Sequence, residues 1–326
     1  MNFSDATITF PMLGDGFSIN PSNHIIIFGK NIYWYGIIIA IGFILAVVYA
    51  LKRCRQFGLT TDNIFDIIIC AAPAGIVGAR LYYCIFFDPA SYFGPGKWLN
   101  IFKVWEGGLA IYGGIIFAVA AVIIYSRVKK VPLGPMLDIG GLGLLIGQAV
   151  GRWGNFMNRE AFGAETNVFC RMGLTVPGHD TIYVHPTFLY ESLWNVLGLI
   201  ILHVVSKKWR KFDGQIFLMY IGWYGLGRFF IEGLRTDSLY LFGTDIRVSQ
   251  LLALICFGAV CVILLKIVID KHGKFPPLAC ERVAVNTEPV NEELASGAED
   301  VSVSSPEGKE AEETDKGKTP PPDKEE

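Results

Sequence analysis

The chain has 326 residues, of which 52% are hydrophobic and only 18% are charged, and its mean hydropathy is +0.42. The hydrophobic residues fall in long blocks rather than at the period of an amphipathic helix or strand, which excludes an ordinary water-soluble domain. The formal net charge of −2 conceals a division, because residues 281–326 hold 14 acidic and only 5 basic residues. The remainder of the chain is therefore basic.

Residues 1–31 precede the first hydrophobic block and lack the basic stretch and apolar run of a signal peptide. Hydrophobic residues alternate at Ile8, Phe10 and Met12, among prolines and glycines. This pattern predicts an ordered arm on the outer surface of the protein.

Seven hydrophobic blocks are long enough to cross a hydrocarbon core, which needs about 20 predominantly apolar residues. The expected fold is an all-α polytopic membrane protein with seven transmembrane helices, and residues 1–275 form its membrane body. The blocks cover about residues 32–51, 63–87, 107–126, 133–151, 185–205, 213–233 and 248–269.

Basic residues gather at the ends of the first, third, fifth and seventh blocks, for example at Arg53, Lys130, Lys208 and Lys271. Cytoplasmic loops carry an excess of lysine and arginine. The predicted topology therefore has the N terminus outside and the C terminus in the cytoplasm. From residue 276 to 326 the sequence is rich in Pro, Glu, Lys and Ser, which predicts a disordered acidic cytoplasmic tail.

The fourth block combines a glycine stripe with a dense polar cluster. Gly143, Gly147 and Gly151 recur every four residues, and such small-residue faces allow close helix packing. Residues 151–163 then bring two arginines, a glutamate and two asparagines to the predicted end of this helix. Polar groups at the edge of hydrocarbon are costly, so by default they indicate a functional site.

The sixth block holds Tyr224, Arg228, Glu232 and Arg235, spaced so that they line one face of a helix. An ion pair between Arg228 and Glu232 with a purely structural role is one explanation. The other is an anion bound between Arg152 and Arg228, because arginine presents a planar fork that suits phosphate oxygens. The abundant anion at that depth is a phospholipid headgroup.

Four further residues are candidates for the same site. Tyr35 lies where the first block enters the membrane, and the aromatic belt of membrane proteins is an alternative explanation for it. Arg80 lies inside the second block and needs a partner or access to the interface. Tyr112 is flanked by glycines that would let a ligand approach, and His185 opens the fifth block on the predicted outer side.

These segments resemble, in order, those of the prolipoprotein diacylglyceryl transferase family. Residues 151–163 match the family signature GRxGNFxNxExxG, which has fixed polar positions at Arg152, Asn155, Asn158 and Glu160. Residues 33–36, 107–114, 185–191 and 224–235 also match, and the similarity covers about residues 20–270.

The resemblance implies a seven-span enzyme of the bacterial inner membrane that moves the diacylglyceryl group of phosphatidylglycerol onto the lipobox cysteine of preprolipoprotein signal peptides. Its expected partners are these two substrates and membrane lipid, with no nucleic acid, metal or organic cofactor. The expected phosphatidylglycerol-binding residues are Arg152, Asn155, Tyr35, Gly163 and Arg80. The expected catalytic residues are Arg228, Glu232, Tyr224, Tyr112, His185 and Glu160.

One position departs from the family pattern. Many members have histidine where this chain has Tyr112, and a tyrosine with a pKa near 10 is a poor base. The base is then His185, Glu160 or Tyr224, or the thiol ionises without a base in the positive field of the arginines. Arg159 and Arg235 fit catalytic, structural or lipid-facing roles equally well.

A transporter or flippase could use the same arginines to carry a lipid headgroup. The sequence shows no internal repeat of the usual inverted kind, which favours the enzyme. A membrane serine protease would need a Gly-x-Ser motif in a span, and a metal-dependent phosphatidyl transferase would need clustered aspartates. Asp138 and Asp213 are isolated.

Overall fold

The computed structural model describes residues 3, 5–14, 16–94, 96–104, 107–236, 240, 241, 244, 247–271 and 275–283. Within these residues the protein is mostly helical. Six helices are long and apolar enough to cross a membrane, as judged by length and composition. The expectation of a helical, multi-pass membrane protein is thereby confirmed. The helices are α1 (Trp34–Arg53), α2 (Thr61–Phe86), α3 (Pro89–Tyr92), α4 (Ile111–Lys129), α5 (Leu133–Asn158), α6 (Thr187–Lys208), α7 (Gln215–Glu232) and α8 (Val248–Lys271).

Two small antiparallel sheets make the all-α expectation incomplete. The strands are β1 (Thr7–Thr9), β2 (Ser18–Ile19), β3 (His24–Ile27), β4 (Lys30–Tyr33), β5 (Met172–Thr175) and β6 (Ile182–Val184). One sheet has the order β2-β1-β5-β6 and the other pairs β3 with β4. Ile8 and Leu174 lie opposite each other in the first sheet and are fully buried. The alternating arm residues thus find their partner strand far along the chain, which no local pattern reveals.

We call the end of the helix bundle that carries these strands the arm end. Arg159 joins the arm to it, because its guanidinium donates to the Ala6 carbonyl, to Asn20 Oδ1 and to the Pro21 carbonyl at 2.7, 2.7 and 2.8 Å. Burial lowers the pKa of this arginine from its ordinary value. Arg159 therefore has a structural role, which the sequence left open.

Helix α5 continues to Asn158, seven residues beyond its predicted end at 151. No proline interrupts residues 152–158, and the helix ends only where Arg159 adopts a left-handed conformation with φ of 52°. Arg152, Asn155 and Asn158 therefore lie on the last two turns of a helix, three residues apart and on one face. The prediction that they follow the helix was wrong.

Helix α1 packs closely against glycines of α5; the sequence predicted close packing of this helix but not its partner. A Cβ atom added at Gly154 would lie 2.6 Å from Cδ2 of Tyr35, and one added at Gly151 would lie 3.1 Å from Cδ1 of Ile39. Such close approach is possible only because these positions lack side chains. The stripe therefore holds the arm end of α1 against the segment that carries Arg152.

Helices α6 and α7 are joined by a reciprocal pair of tryptophans. Trp194 Nε1 donates to the carbonyl of Trp223, and Trp223 Nε1 donates to the carbonyl of Trp194, each at 3.0 Å. Their rings stack with centroids 4.3 Å apart. Gly198 and Gly227 provide the space for the two rings. This pair fixes the register of the two helices one turn from Arg228.

The compact body extends to Val283, beyond the boundary at residue 275 that the composition suggested. Phe275 stacks on Phe212 with centroids 5.5 Å apart, and Arg282 pairs with Asp213 at 2.8 Å. Residues 276–283 therefore pack against the end of the bundle opposite the arm. The rest of the predicted disordered tail, from residue 284, lies outside the described residues.

Candidate functional site

Helices α5, α6 and α7 meet at the arm end around a buried carboxylate, Glu191, which is 5% exposed. Arg152 of α5 forms an ion pair with its Oε2. Arg228 of α7 and Arg235 contact Oε1 at 3.3 and 3.5 Å. Glu191 thus connects guanidiniums from three segments of the chain.

A second buried carboxylate, Glu232, extends this network. Arg228 Nη2 lies 2.6 Å from Glu232 Oε2, one helical turn along α7. The backbone carbonyl of Glu232 accepts a hydrogen bond from Arg247. In these ion pairs, among the described residues, three arginines share the carboxylates of two glutamates.

Arg152 and Arg228 keep part of their surface accessible, with 21% and 18% of their side chains exposed. This accessible surface leaves room for an anion to contact the two arginines. A guanidinium binds a phosphate through two parallel N–H donors. The geometry therefore suits the phosphate of a lipid at the membrane interface.

The signature segment continues the network away from the helices. Asn155 Oδ1 accepts from Arg152 Nη1 at 3.4 Å, and Asn155 Nδ2 donates to Glu160 Oε1 at 3.0 Å. Asn158 Nδ2 donates to the same carboxylate oxygen at 3.2 Å. Glu160 thereby orients Asn155, and Asn155 in turn restrains Arg152.

Gly163 and His185 form the next layer of the site. The Gly163 N–H donates to the His185 carbonyl at 2.9 Å. A Cβ at Gly163 would lie 2.7 Å from Cβ of His185 and 2.8 Å from the Leu234 carbonyl, so only glycine fits. His185 Nδ1 lies 3.3 Å from the Tyr190 hydroxyl. Burial lowers the pKa of His185 below its usual 6.5, which favours the neutral imidazole.

Tyr224 lines a small cavity directly below the ion pairs, meaning farther from the arm end. Arg228 and Glu191 border the same cavity, and Asn195 and Trp194 supply its α6 wall. Tyr35 lies beside the network on the far side of α5, where its ring packs on Gly154.

Arg80 and Tyr112 do not join this network through any contact that the structure describes. Arg80 is 3% exposed, and its guanidinium donates to a ring of backbone carbonyls: those of Ile101, Gly107, Gly108, Asn100 and Lys103. A guanidinium has five N–H donors, so this loop uses its full capacity. Gly108, with φ of 68°, lies against Arg80 and Tyr83, so this glycine accommodates a side chain rather than a ligand.

Tyr112 stands in the first turn of α4 and is 47% exposed. Gly113, which follows it, packs against Gly78 of α2. The glycines around Tyr112 thus hold α2 and α4 together.

The sequence-based selection missed Glu191, although it lies at the centre of the network. The signal was available, because a glutamate inside an apolar helix is as costly as Arg228 or Glu232 and needs the same explanation. The structure also gives Arg235 a contact with this glutamate, where the sequence left its role open.

Comparison with known proteins identifies the family. The family described as prolipoprotein diacylglyceryl transferase matches residues 23–266. The phosphatidylglycerol–prolipoprotein diacylglyceryl transferase of Listeria welshimeri is 46% identical over 233 residues, which cover 69% of this chain and 82% of the relative. The protein of that name from Enterococcus faecalis is 45% identical over 247 residues, covering 73% and 87%.

A third relative of the same name, from Lactiplantibacillus plantarum, is 44% identical over 238 residues, which cover 70% of this chain and 82% of the relative. The family match includes all of α5, α6 and α7, the helices that build the network of arginines and glutamates. This chain belongs to the prolipoprotein diacylglyceryl transferase family.

Proposed function

We propose that this protein transfers the diacylglyceryl group of phosphatidylglycerol to the lipobox cysteine of preprolipoproteins, as the first step of bacterial lipoprotein maturation. The observation that carries the proposal is the network around Glu191, which holds the partly exposed Arg152 and Arg228 together at the arm end of the bundle. A family of transferases that act on an anionic phospholipid needs such a site.

In this reaction the cysteine sulfur attacks the glyceryl carbon that bears the phosphate. The S–C bond forms as the C–O bond breaks, and the electron pair leaves with the phosphate oxygen of glycerol phosphate. Negative charge therefore grows on the phosphate in the transition state. Arg152 and Arg228 stabilise that charge as fixed donors in a poorly hydrated site.

The other residues support these two arginines. Glu191 and Glu232 orient the guanidiniums, and Asn155, held by Glu160, contacts the headgroup beside Arg152. Tyr35 and Tyr224 border the lipid on either side, and Gly163 lets the signature loop pack on His185. Arg80 supports the site indirectly, because its guanidinium orders the loop after α2.

The thiol must lose a proton before or during attack. A positive environment lowers a cysteine pKa. We place the ionisation in the field of Arg152 and Arg228, without a dedicated base. Tyr112 is then not needed as a proton acceptor, although histidine is common at this position of the family.

The protein is expected in the bacterial inner membrane, with the arm end outside and the C terminus in the cytoplasm. Helix α7 serves as the seventh span. Its 18 residues extend about 27 Å, close to the roughly 30 Å of a hydrocarbon core. Its charged residues lower its hydropathy, but Arg228 and Glu232 face partner helices rather than lipid.

The test is an assay with detergent-solubilised protein, phosphatidylglycerol and a lipobox peptide, read by intact mass. We expect a diacylglyceryl adduct on the cysteine and a loss of about 100-fold or more in rate for Arg152→Ala and Arg228→Ala. Lys208→Ala, at the opposite end of the bundle, is the matched control and keeps the wild-type rate. Phosphatidylglycerol that binds but forms no adduct would contradict the proposal and favour a lipid flippase.

A further inference from the structure

One turn farther from the arm end than the ion pairs, two helices place amide side chains with an unpaired oxygen. Asn195 follows Glu191 by four residues on α6, and Gln148 precedes Arg152 by four residues on α5. Four residues of helix span about 6 Å. Because α5 runs toward the arm end and α6 runs away from it, both amides lie deeper in the bundle than the arginines.

Of the two amides, Asn195 gives the stronger evidence for a bound ligand. It is 4% exposed, and its Oδ1 has no hydrogen-bond partner among the described residues. It lines the cavity that Glu191, Tyr224 and Arg228 also border. Gln148 Nε2 donates to the Tyr220 hydroxyl at 2.9 Å, but Gln148 Oε1 is likewise buried and unpaired. A buried acceptor without a donor costs about 1–3 kcal/mol, so a ligand that supplies donors is the physical reason to keep it.

The two substrates of the proposed reaction differ in what they offer at this depth. With the phosphate at the arginines, the part of phosphatidylglycerol that lies deeper is its diacylglyceryl portion. That portion carries ester oxygens, which accept hydrogen bonds and donate none. A polypeptide offers backbone N–H groups, which are donors.

The direction from which the sulfur attacks the glyceryl carbon also places the polypeptide at this depth. The sulfur approaches from the side opposite the departing phosphate oxygen. Since the phosphate lies toward the arm end, the sulfur approaches from the deeper side, where Asn195 borders the cavity.

We infer that Asn195 binds the polypeptide substrate, and that its Oδ1 accepts a hydrogen bond from a backbone N–H group beside the lipobox cysteine. This assignment rests on the proposed function of the site. It separates the site into an arginine layer for the phospholipid phosphate and a deeper amide layer for the peptide.

The test is the variant Asn195→Leu, assayed for transfer against peptide concentration at saturating phosphatidylglycerol, and then with the roles exchanged. We expect the peptide KM to rise about 3- to 10-fold, as for the loss of one hydrogen bond, while the phosphatidylglycerol KM stays within twofold. The Tm should equal or exceed that of the wild type, because the substitution removes a buried unpaired acceptor.

Ser192→Ala is the matched control on the same helix, since Ser192 Oγ already donates to the Ala149 carbonyl at 2.8 Å. It should leave both KM values unchanged. Asn195→Ala, which adds no atoms, replaces the leucine variant if leucine lowers the Tm.

A rise in the phosphatidylglycerol KM alone would overturn the inference and assign the acceptor to a headgroup hydroxyl. Unchanged KM values for both substrates would also overturn it. Binding of a fluorescent lipobox peptide, measured by anisotropy with wild type and Asn195→Leu, tests the inference without turnover. A wild-type protein that binds the peptide but never transfers lipid would contradict the proposed function. The difference in peptide binding between wild type and Asn195→Leu would still test the inference about Asn195.

Discussion

Arg80 of α2 and Arg152 of α5 are both arginines in the half of the bundle toward the arm end, yet their guanidiniums contact different partners. Arg80 donates only to neutral backbone carbonyls, which use all its donors and bind one loop to one helix. Arg152 pairs with the carboxylate of Glu191 and keeps a long contact of 3.4 Å to Asn155. A saturated arginine fixes structure, whereas a partly exposed arginine can take up an anion.

The largest effect is expected at Glu191, because the position of the Arg152 guanidinium depends on its ion pair with this carboxylate. Glu191→Gln keeps the shape but removes the charge that orients three guanidiniums. We expect the transfer rate to fall by about 100- to 1000-fold and the free energy of unfolding by about 3 kcal/mol. Initial rates and thermal unfolding in detergent measure both.

The control for that variant is Glu165→Gln, an exposed glutamate at the same end of the protein. It should change neither quantity. A Glu191→Gln enzyme with wild-type activity would show that the ion network is structural only.

The next effect distinguishes the structural role of Arg80 from the proposed lipid-binding role of Arg152. Arg80→Lys replaces five donors by three and leaves carbonyls of the 100–108 loop unpaired. We expect the free energy of unfolding to fall by about 2 kcal/mol, with the phosphatidylglycerol KM within twofold of wild type. A raised phosphatidylglycerol KM at unchanged stability would instead support the lipid-binding role that the sequence suggested for Arg80.

A smaller effect follows from His185. Burial lowers its pKa, so the folded protein binds this proton less tightly than the unfolded chain does. The stability that the neutral imidazole contributes is complete above pH 6.5 and decreases as the pH falls through and below that value. We expect the Tm of the wild-type protein to decrease between pH 6.5 and pH 5. The Tm of His185→Gln should lack the part of this decrease that comes from the titration of His185.

The transfer rate of the same two proteins shows whether His185 also accepts the proton. If the wild-type rate follows the titration of His185 while the variant is inactive at every pH, then His185 is the base, and ionisation by the arginines alone is wrong.

The smallest effect is expected for Tyr112→Phe. The Tyr112 ring is half exposed in the first turn of α4, and among the described residues its hydroxyl makes no contact with the network. The rate should stay within about threefold of wild type, measured with the lipobox peptide at pH 7. A loss of 100-fold would place the proton acceptor at this position after all.

The helices were predictable from the sequence because length and hydropathy determine them. Close packing of α5 was predictable too, since its recurring glycines leave part of its backbone bare, and Gly151 packs on Ile39. The four-stranded sheet was not, because Ile8 pairs with Leu174, more than 160 residues away. The end of α5 was missed because polar residues were taken as the end of a helix that continues through them.

At the site, spacing on one helix predicted the stripe of Arg228 and Glu232. Spacing could not show that Glu191 of another helix joins Arg152 to Arg228, because that contact depends on the register of α6 against α7. The tryptophan pair sets this register, and neither Trp194 nor Trp223 stands out in a chain with seven tryptophans.

The packing of residues 276–283 determines how this protein can be shortened or tagged. A chain cut after Phe275 would lose Arg282, the ion-pair partner of Asp213, and would expose the surface that Ala279 covers beside Gly58. A chain cut after Val283 would keep both. An affinity tag or fluorescent protein is therefore best fused downstream of Val283, where the purified enzyme retains an intact surface at that end of its helices.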